Sequence, residues 1–391
     1  VNDRTSQHKN PRHRFPWREG NHVELLVDGE TFFPSMLEDI GRAKHYVWLE
    51  MYLVESGRIA DRFIDAMLEA VKRGVEVRLV VDHWGSWYLH RHDREKLRAG
   101  GVQLRDYNRL RFRNLFSNLA RDHRKLLVVD GAIAYAGGAG ITDQFVDTGG
   151  PKRPWRETMV RIQGPVLQDW EELFVEVWNH SGAPDLKAPR SSTAAWIEGM
   201  PGRVTVAGGR RLQGVMSSLI RHIRTAERFV WVSTAYFVPT WRFRRALRGA
   251  ARRGVDVRVL VAGPHSDHPA VRYAGRRYYT HLLRAGVRIF EYQPRFLHSK
   301  AAICDGWCSV GSSNFDRWDL RWNLEANQVV DDQRFAGEIV AMFKQDFQDS
   351  VEITLQEWLK RSRSMRRREW FWGLVDVWLH RLGRGRSGPT D

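Results

Sequence analysis

The chain has 391 residues, 42% of them hydrophobic, with 17 Trp, a net charge of +16 and a pI near 10.2. That is enough apolar material for about two domains and excludes a disordered chain, and no run reaches the roughly 20 apolar residues of a bilayer-spanning helix. The charge calls for a polyanionic partner, nucleic acid or an anionic membrane surface, without choosing between them.

Residues 1–19 read as a basic N-terminal arm, and polar Val1–His13 lacks the apolar stretch of a signal peptide. A first lobe, 20–180, opens with a short strand at Val23–Val27 and a helix over Glu30–Ala43, whose Phe33, Leu37 and Ile40 form one stripe. Tyr46–Val54 is a strong strand. Ile59–Arg73 is an amphipathic helix with Ile59, Phe63, Met67 and Val71 on one face, closed by Gly74, and Val75–Asp82 follows as a buried strand. This strand–helix–strand order predicts parallel pairing with helices on the sheet faces. Between Tyr107 and Arg121, basic Arg109, Arg111 and Arg113 alternate with Leu110, Phe112, Leu115, Phe116 and Leu119. The segment reads as a lipid-facing rim of a site or as an ordinary surface helix.

It runs into His123-Arg-Lys125, followed by Asp130, the pair Gly137-Gly138, and Glu157. After a linker at 181–203, marked by Pro184, Pro189 and Pro201, a second lobe at 204–355 repeats the pattern. Ala70–Val81 matches Ala250–Val261 at an offset of 180, and His298-Ser-Lys300, Asp305, Gly311-Ser312-Ser313-Asn314 and Glu325 match the first motif with the same four-residue gap from Lys to Asp. The chain is therefore an internal duplication. Its two His-x-Lys triplets must meet at the lobe interface if both are to act on one group. His265 and His268 sit after a strand end, as rim residues or in a solvated loop. Cys304 and Cys308 flank a turn without metal spacing and read as small apolar residues of a buried hairpin. The tail, 356–391, carries Arg366-Arg367-Arg368 before an apolar stretch with Trp370, Trp372 and Trp378. It suits an interfacial membrane anchor or a helix docked on the second lobe.

These residue types suit a phosphodiester held between two imidazoles. One neutral His attacks phosphorus and the other, protonated, gives its proton to the departing alkoxide. Residues i and i+2 of a strand share a face, so each Lys points with its His and supplies positive charge, with the Asn314 amide as a further donor. Glu157 and Glu325 are the natural partners of the far ring nitrogens. No metal or other cofactor is called for, and which of His123 and His298 attacks is left open.

The doubled H-x-K-x4-D with Gly-Ser-x-Asn resembles the phospholipase D superfamily. Phe15-Pro-Trp-Arg-Glu-Gly-Asn21 and Arg321-Trp-Asn-Leu-Glu-Ala-Asn327 look like its bacterial cardiolipin synthase branch, of the type without N-terminal transmembrane helices. The resemblance runs from about residue 15 to about residue 350 and departs in two places. Gly140 stands where the first motif has Asn, and five residues rather than six separate Asp305 from Gly311, a tighter hairpin. It implies two phospholipase D-like lobes, each a mixed, mostly parallel sheet flanked by helices. It also implies phosphatidyl transfer between phospholipids through a phosphohistidine, more often on the N-terminal His. His123, Lys125, Asp130, His298, Lys300 and Asp305 would be catalytic, with Glu157, Glu325, Asn314 and Ser312 in support. Leu115, Phe116, Leu119, Trp370, Trp372 and Trp378 would meet the membrane. The expected partners are phospholipid, with phosphatidylglycerol foremost, and the anionic cytoplasmic surface of the cell membrane, where the protein would sit peripherally. A hydrolase or a nuclease of the same superfamily is the alternative, with nucleic acid as partner. The intact His and Lys in both halves argue against a silent binding scaffold.

Overall fold

A computed structural model of the chain describes residues 15–109, 120–150, 153–182, 184–187, 194–208, 212–316 and 323–382, with side chains of the last helix described as far as residue 373. The first lobe runs β1 (Arg18–Val27), α1 (Gly29–Arg42), β2 (Tyr46–Met51), α2 (Arg58–Lys72), β3 (Glu76–Asp82), α3 (Arg91–Ala99), β4 (Gln103–Tyr107), β5 (Lys125–Val129), β6 (Ile133–Gly137), β7 (Thr158–Gln163) and α4 (Leu167–His180). The second runs β8 (Met200–Gly208), β9 (Leu212–Gln213), α5 (Gly214–Thr225), β10 (Phe229–Thr234), α6 (Trp241–Arg252), β11 (Asp256–Ala262), α7 (Pro269–Arg276), α8 (Tyr279–Leu283), β12 (Arg288–Tyr292), β13 (Ala301–Cys304), β14 (Trp307–Gly311) and β15 (Glu325–Asp331). Helix Gln333–Gln348, strand β16 (Ser350–Ile353) and helices Leu355–Lys360 and Arg363–Leu382 complete the described chain.

The duplication is visible strand by strand. One lobe has the order β1-β7-β6-β5-β2-β3-β4 and the other β8-β15-β14-β13-β10-β11-β12, extended by β16. The two are not separate sheets. β1 pairs antiparallel with β8 through Arg18↔Gly202 and Asn21↔Met200, which joins them into one continuous sheet. Residues 200–203, expected in a linker, and Arg18 and Glu19, expected in the arm, are thus strand residues at this seam. Among the described strands, β2-β3-β4 and β10-β11-β12 pair in parallel, where helical crossovers demand it. The other pairs along the sheet are antiparallel, because short hairpins connect several of them, so the sheets are mixed as expected but less parallel than expected.

Helix α2 buries Ile59, Phe63, Met67 and Ala70, and α6 buries Phe243, Leu247 and Ala250 at the same spacing. Burying each Phe contributes roughly 2–3 kcal/mol. Both helices stop at a left-handed glycine, Gly74 (φ 86°) and Gly254 (φ 89°), which turns the chain into the next parallel strand. These outer helices cover one face of each lobe. On the opposite face α4 and helix Gln333–Gln348 pack a shared core, with Trp48, Phe174 and Trp178 from the first lobe and Trp231, Phe343 and Phe347 from the second. A common core and a common sheet fix the lobes, and therefore their His-x-Lys triplets, relative to each other.

Candidate active site

His123 and His298 lie just before β5 and β13, and two short parallel bridges bring each to the other lobe. His123 N donates to Leu324 O (3.0 Å) while Leu324 N donates to Arg121 O (2.8 Å). On the other side His298 N donates to Arg156 O (2.8 Å) and Arg156 N to Phe296 O (2.9 Å). Each histidine thus stands beside the residue that precedes a glutamate of the opposite lobe. The carboxylates are exchanged accordingly. His123 Nδ1 pairs with Glu325 Oε1 at 2.8 Å, and His298 Nδ1 with Glu157 Oε2 at 2.5 Å. A carboxylate on Nδ1 fixes the orientation and tautomer of each ring.

Both rings line one cavity of about 240 Å³, together with Lys125, Asn314, Tyr52 and Trp155. Lys125 Nζ donates to His123 O at 2.6 Å and stands 5.0 Å over the Tyr52 ring. Lys300 is fully buried behind the wall, where its Nζ bonds His298 O and lies 3.5 Å from Glu157 Oε2. Its charge therefore acts through space and through Glu157. Burial, then the Lys300 and Lys125 charges, holds the His298 imidazole well below its ordinary pKa and keeps it neutral. Burial likewise raises Glu157, and it pushes Glu325 up to about 8 against the lowering charge of Lys125.

Two of the expected catalytic residues are elsewhere. Asp130 and Asp305 lie at the far ends of β5 and β13, in the left-handed conformation (φ 53° each). Asp130 accepts from the backbone N–H groups of Lys44, His45 and Tyr46 at 2.8 Å, and Asp305 from those of Glu227, Arg228 and Phe229 at 3.0–3.1 Å. They staple the hairpin turn to the start of the neighbouring strand and do not face the cavity. Backbone donors to a carboxylate make strong, charge-assisted hydrogen bonds, which hold these turns in place. The shorter Asp305–Gly311 spacing is the tighter hairpin expected. Cys304 pairs with Trp307 across two residues, whereas Val129 pairs with Ile133 across three.

The glycines of the first motif have a steric cause. A Cβ at Gly138 would lie 2.2 Å from Glu157 Oε2, and one at Gly140 would lie 2.5 Å from Leu53 O. The second motif has room at both places. Ser312 Oγ donates to Glu325 Oε2 at 2.5 Å, and Asn314 reaches the cavity wall.

Leu115, Phe116 and Leu119 fall outside the described residues, as does the Trp378 side chain. Trp370 is 67% exposed and Trp372 half-buried, on a helix that docks on the second lobe through Arg276–Glu369 and Arg277 to Gly373 O. The wall residues Tyr52 and Tyr236 carry no motif of their own, and only their places after β2 and β10 point to them, whereas Asn323 lies within the Arg321–Asn327 stretch that carries the resemblance. His268 lines the cavity, as its position after a strand end suggested.

The family model described as "Cardiolipin synthase, PLD-like domain" matches residues 36–178 and 219–347. The chain belongs to this cardiolipin synthase, phospholipase D-like family. It is 35% identical to cardiolipin synthase A of Pseudomonas aeruginosa (strain LESB58) over 90% of this chain and 72% of the relative. It is 32% identical to the cardiolipin synthase of Geobacillus kaustophilus over 90% and 73%. In fold it is similar to the phosphatidylserine synthase of Haemophilus influenzae, with a TM-score of 0.71 and 12% identity over 92% of this chain and 94% of that one. The family is one of phosphatidyltransferases, and among the described residues no helix of this member is long and apolar enough to cross a membrane.

This cardiolipin synthase family member backs its two histidines differently: the first lobe's own strands place buried ion pairs behind His123, whereas the buried pair beside His298, Arg156–Asp346, is built across the lobes. Behind His123, Arg124 pairs with Glu50 (2.6 Å) and Asp122 (3.4 Å), and Arg121 with Asp82 (3.4 Å), all buried. Burial raises Asp82 to about 6 and lifts Glu50 well above its ordinary value despite Arg124. The matching positions behind His298 are Ser299, Ser233, Leu297, Phe296 and Ala262. The His298 ring is instead packed among aromatics, with centroids 5.2 Å from Trp155, 5.7 Å from Phe296 and 5.8 Å from Phe145.

Proposed function

We propose that the protein joins two phosphatidylglycerol molecules into cardiolipin and glycerol through a phosphohistidine, at the cytoplasmic surface of the cell membrane. The observation that carries this reading is the pair of histidines facing one cavity, each oriented by a carboxylate of the opposite lobe. An Nε2 attacks the phosphorus of the donor lipid, a P–N bond forms, and the P–O bond to glycerol breaks as the other imidazolium protonates the leaving oxygen. The hydroxyl of the second lipid then gives its proton to that imidazole and attacks phosphorus, and the P–N bond breaks. Lys125 and Asn314 line the same cavity, and in this reading they supply positive charge and an amide donor to the phosphoryl oxygens as these gain charge. Glu157 and Glu325 hold the rings and stabilise whichever imidazolium forms.

Surface chemistry supports a lipid surface as the partner. Helix α6 carries Arg244, Arg245, Arg248 and Arg252 around a cavity of about 510 Å³ with Trp241 at its rim. The matching helix α2 has acidic Asp61, Asp65 and Glu69, so this positive face is specific to one lobe. Each cation near an anionic bilayer contributes about 1 kcal/mol. Trp84, Trp87 and Tyr88, after β3, and Trp370 and Phe371 of the docked tail are exposed aromatics of interfacial type. The buried free thiols Cys304 and Cys308 suit the reducing side of a membrane.

The test offers phosphatidylglycerol vesicles and single-stranded DNA to one preparation and identifies products by mass. Cardiolipin and glycerol are expected. Phosphatidic acid as the main product would make the protein a hydrolase, and cleaved DNA without cardiolipin would make it a nuclease.

A further inference from the structure

Joining two phosphatidylglycerols places a second phosphate near the reacting one, separated in the product by a single glycerol. That phosphate is an anion and calls for its own cation. The histidine cavity, about 240 Å³, is small for two headgroups, since sites for ligands of that size run to several hundred cubic ångströms.

A larger cavity of about 700 Å³ adjoins it, walled by Arg153, Trp155, His265, Asp267, Arg295 and Phe296. Trp155 and Asp267 line both cavities. Since Trp155 and Phe296 are also ring neighbours of His298, the larger cavity opens on the His298 side. The Arg295 guanidinium is held in place by Asp28 and by the carbonyls of Pro154 (3.2 Å) and Trp155 (3.4 Å), while Arg153 is exposed at the mouth. The duplicated positions on the His123 side hold Ala120 in place of Arg295 and Asn323 in place of Trp155, while Arg321, the match of Arg153, lies outside the described residues. Among the described residues, the pairing of Arg295 with Trp155 and Phe296 is found on the His298 side.

We propose that this chamber is the subsite of the acceptor lipid. Arg153 and Arg295 bind the phosphate of the incoming phosphatidylglycerol, and Trp155 and Phe296 pack its glycerol carbons. The free hydroxyl is thereby delivered to phosphorus from the His298 side. This rests on the transferase reading above. The acceptor hydroxyl gives its proton to the imidazole that protonated the departing glycerol as the new O–P bond forms, and the P–N bond to the other imidazole breaks.

The experiment uses the full chain with phosphatidylglycerol vesicles, with and without ethanol, a small alcohol that carries no phosphate. Arg153→Glu is the main variant, because the side chain is exposed and its replacement leaves the core intact. It is expected to lower cardiolipin formation at least about tenfold and to leave phosphatidylethanol formation at the wild-type rate. Arg153→Lys is expected to restore most cardiolipin, as is Arg295→Lys relative to Arg295→Gln. Parallel loss of cardiolipin and phosphatidylethanol in Arg153→Glu overturns the subsite, as does loss of neither. A wild-type protein that releases no glycerol and makes no phosphatidylethanol sinks the transferase reading itself.

Discussion

The two lobes reach the cavity by the same backbone steps, a parallel bridge, a His-x-Lys triplet and an Asp-stapled hairpin, yet they support their histidines with different material. Behind His123 lie buried ion pairs built on Glu50, Arg124 and Asp82, and Ser312 braces its carboxylate partner, Glu325. Around His298 lie serine, leucine and aromatic rings with the Arg156–Asp346 pair beside them, and a side chain at Gly138, the position that matches Ser312, would run into Glu157. Strand register therefore makes the site two-fold in geometry, and side chains make it unequal in charge. A two-step displacement needs that inequality, since one imidazole attacks while the other carries a proton.

The broadest way to break the comparison is to remove each histidine. His123→Ala and His298→Ala are each expected to lower transferase activity by about 10³-fold or more with unchanged circular dichroism. Substantial turnover left in either would mean that one lobe suffices. Next in size is the buried charge. Arg124→Ala leaves Glu50 unpaired and should cost about 3–5 kcal/mol in denaturant unfolding, whereas Ser299→Ala, its counterpart, should cost about 1 kcal/mol or less. Installing the second lobe's pair, Glu50→Ser with Arg124→Ser, should recover part of the loss. Equal costs for the two single variants would show that the ion pair is not what distinguishes the lobes.

The carboxylates sharpen the comparison further. Glu157→Gln and Glu325→Gln should each lower kcat about 10–100-fold, as for other groups that orient a reacting histidine. Gly138→Ser, which drives a side chain into Glu157, should match Glu157→Gln, while Ser312→Gly should cost only a few-fold. The smallest effect is on pH-dependent stability. Glu325 keeps its proton up to about pH 8 in the folded protein but only to its ordinary value of 4.5 when unfolded, so its contribution to stability falls as pH rises between them. Glu325→Gln should gain roughly 1–2 kcal/mol over the wild type on going from pH 5 to pH 8.5. His298, depressed below 6.5, acts oppositely and weakens the fold as pH falls through that value, so His298→Gln should flatten the acid side. Thermal melts across pH read both slopes, and parallel slopes would show that the two groups do not differ in charge state.

The sequence by itself determined the repeated His-x-Lys chemistry, the duplicated strand–helix–strand units and the hairpins at Asp130-Gly131 and Asp305-Gly306. Each is written in residues a few positions apart, where periodicity and turn chemistry act locally. Glu157 and Glu325 were legible as histidine partners because the first-neighbour chemistry needs a carboxylate. Their exchange between lobes was not, since it joins residues 141 and 202 positions apart and depends on the bridges Arg156↔Leu297 and Asp122↔Leu324. The resemblance made Asp130 and Asp305 candidate catalytic residues, and only the fold shows them at the far end of a strand, holding turns. The tail's arginines and tryptophans allowed both docking and membrane contact. Packing docks one face, with Glu369 buried against Arg276, and leaves Trp370 exposed. The seam between β1 and β8 was likewise settled by tertiary structure alone, because an edge strand finds its partner through long-range register that no local pattern encodes.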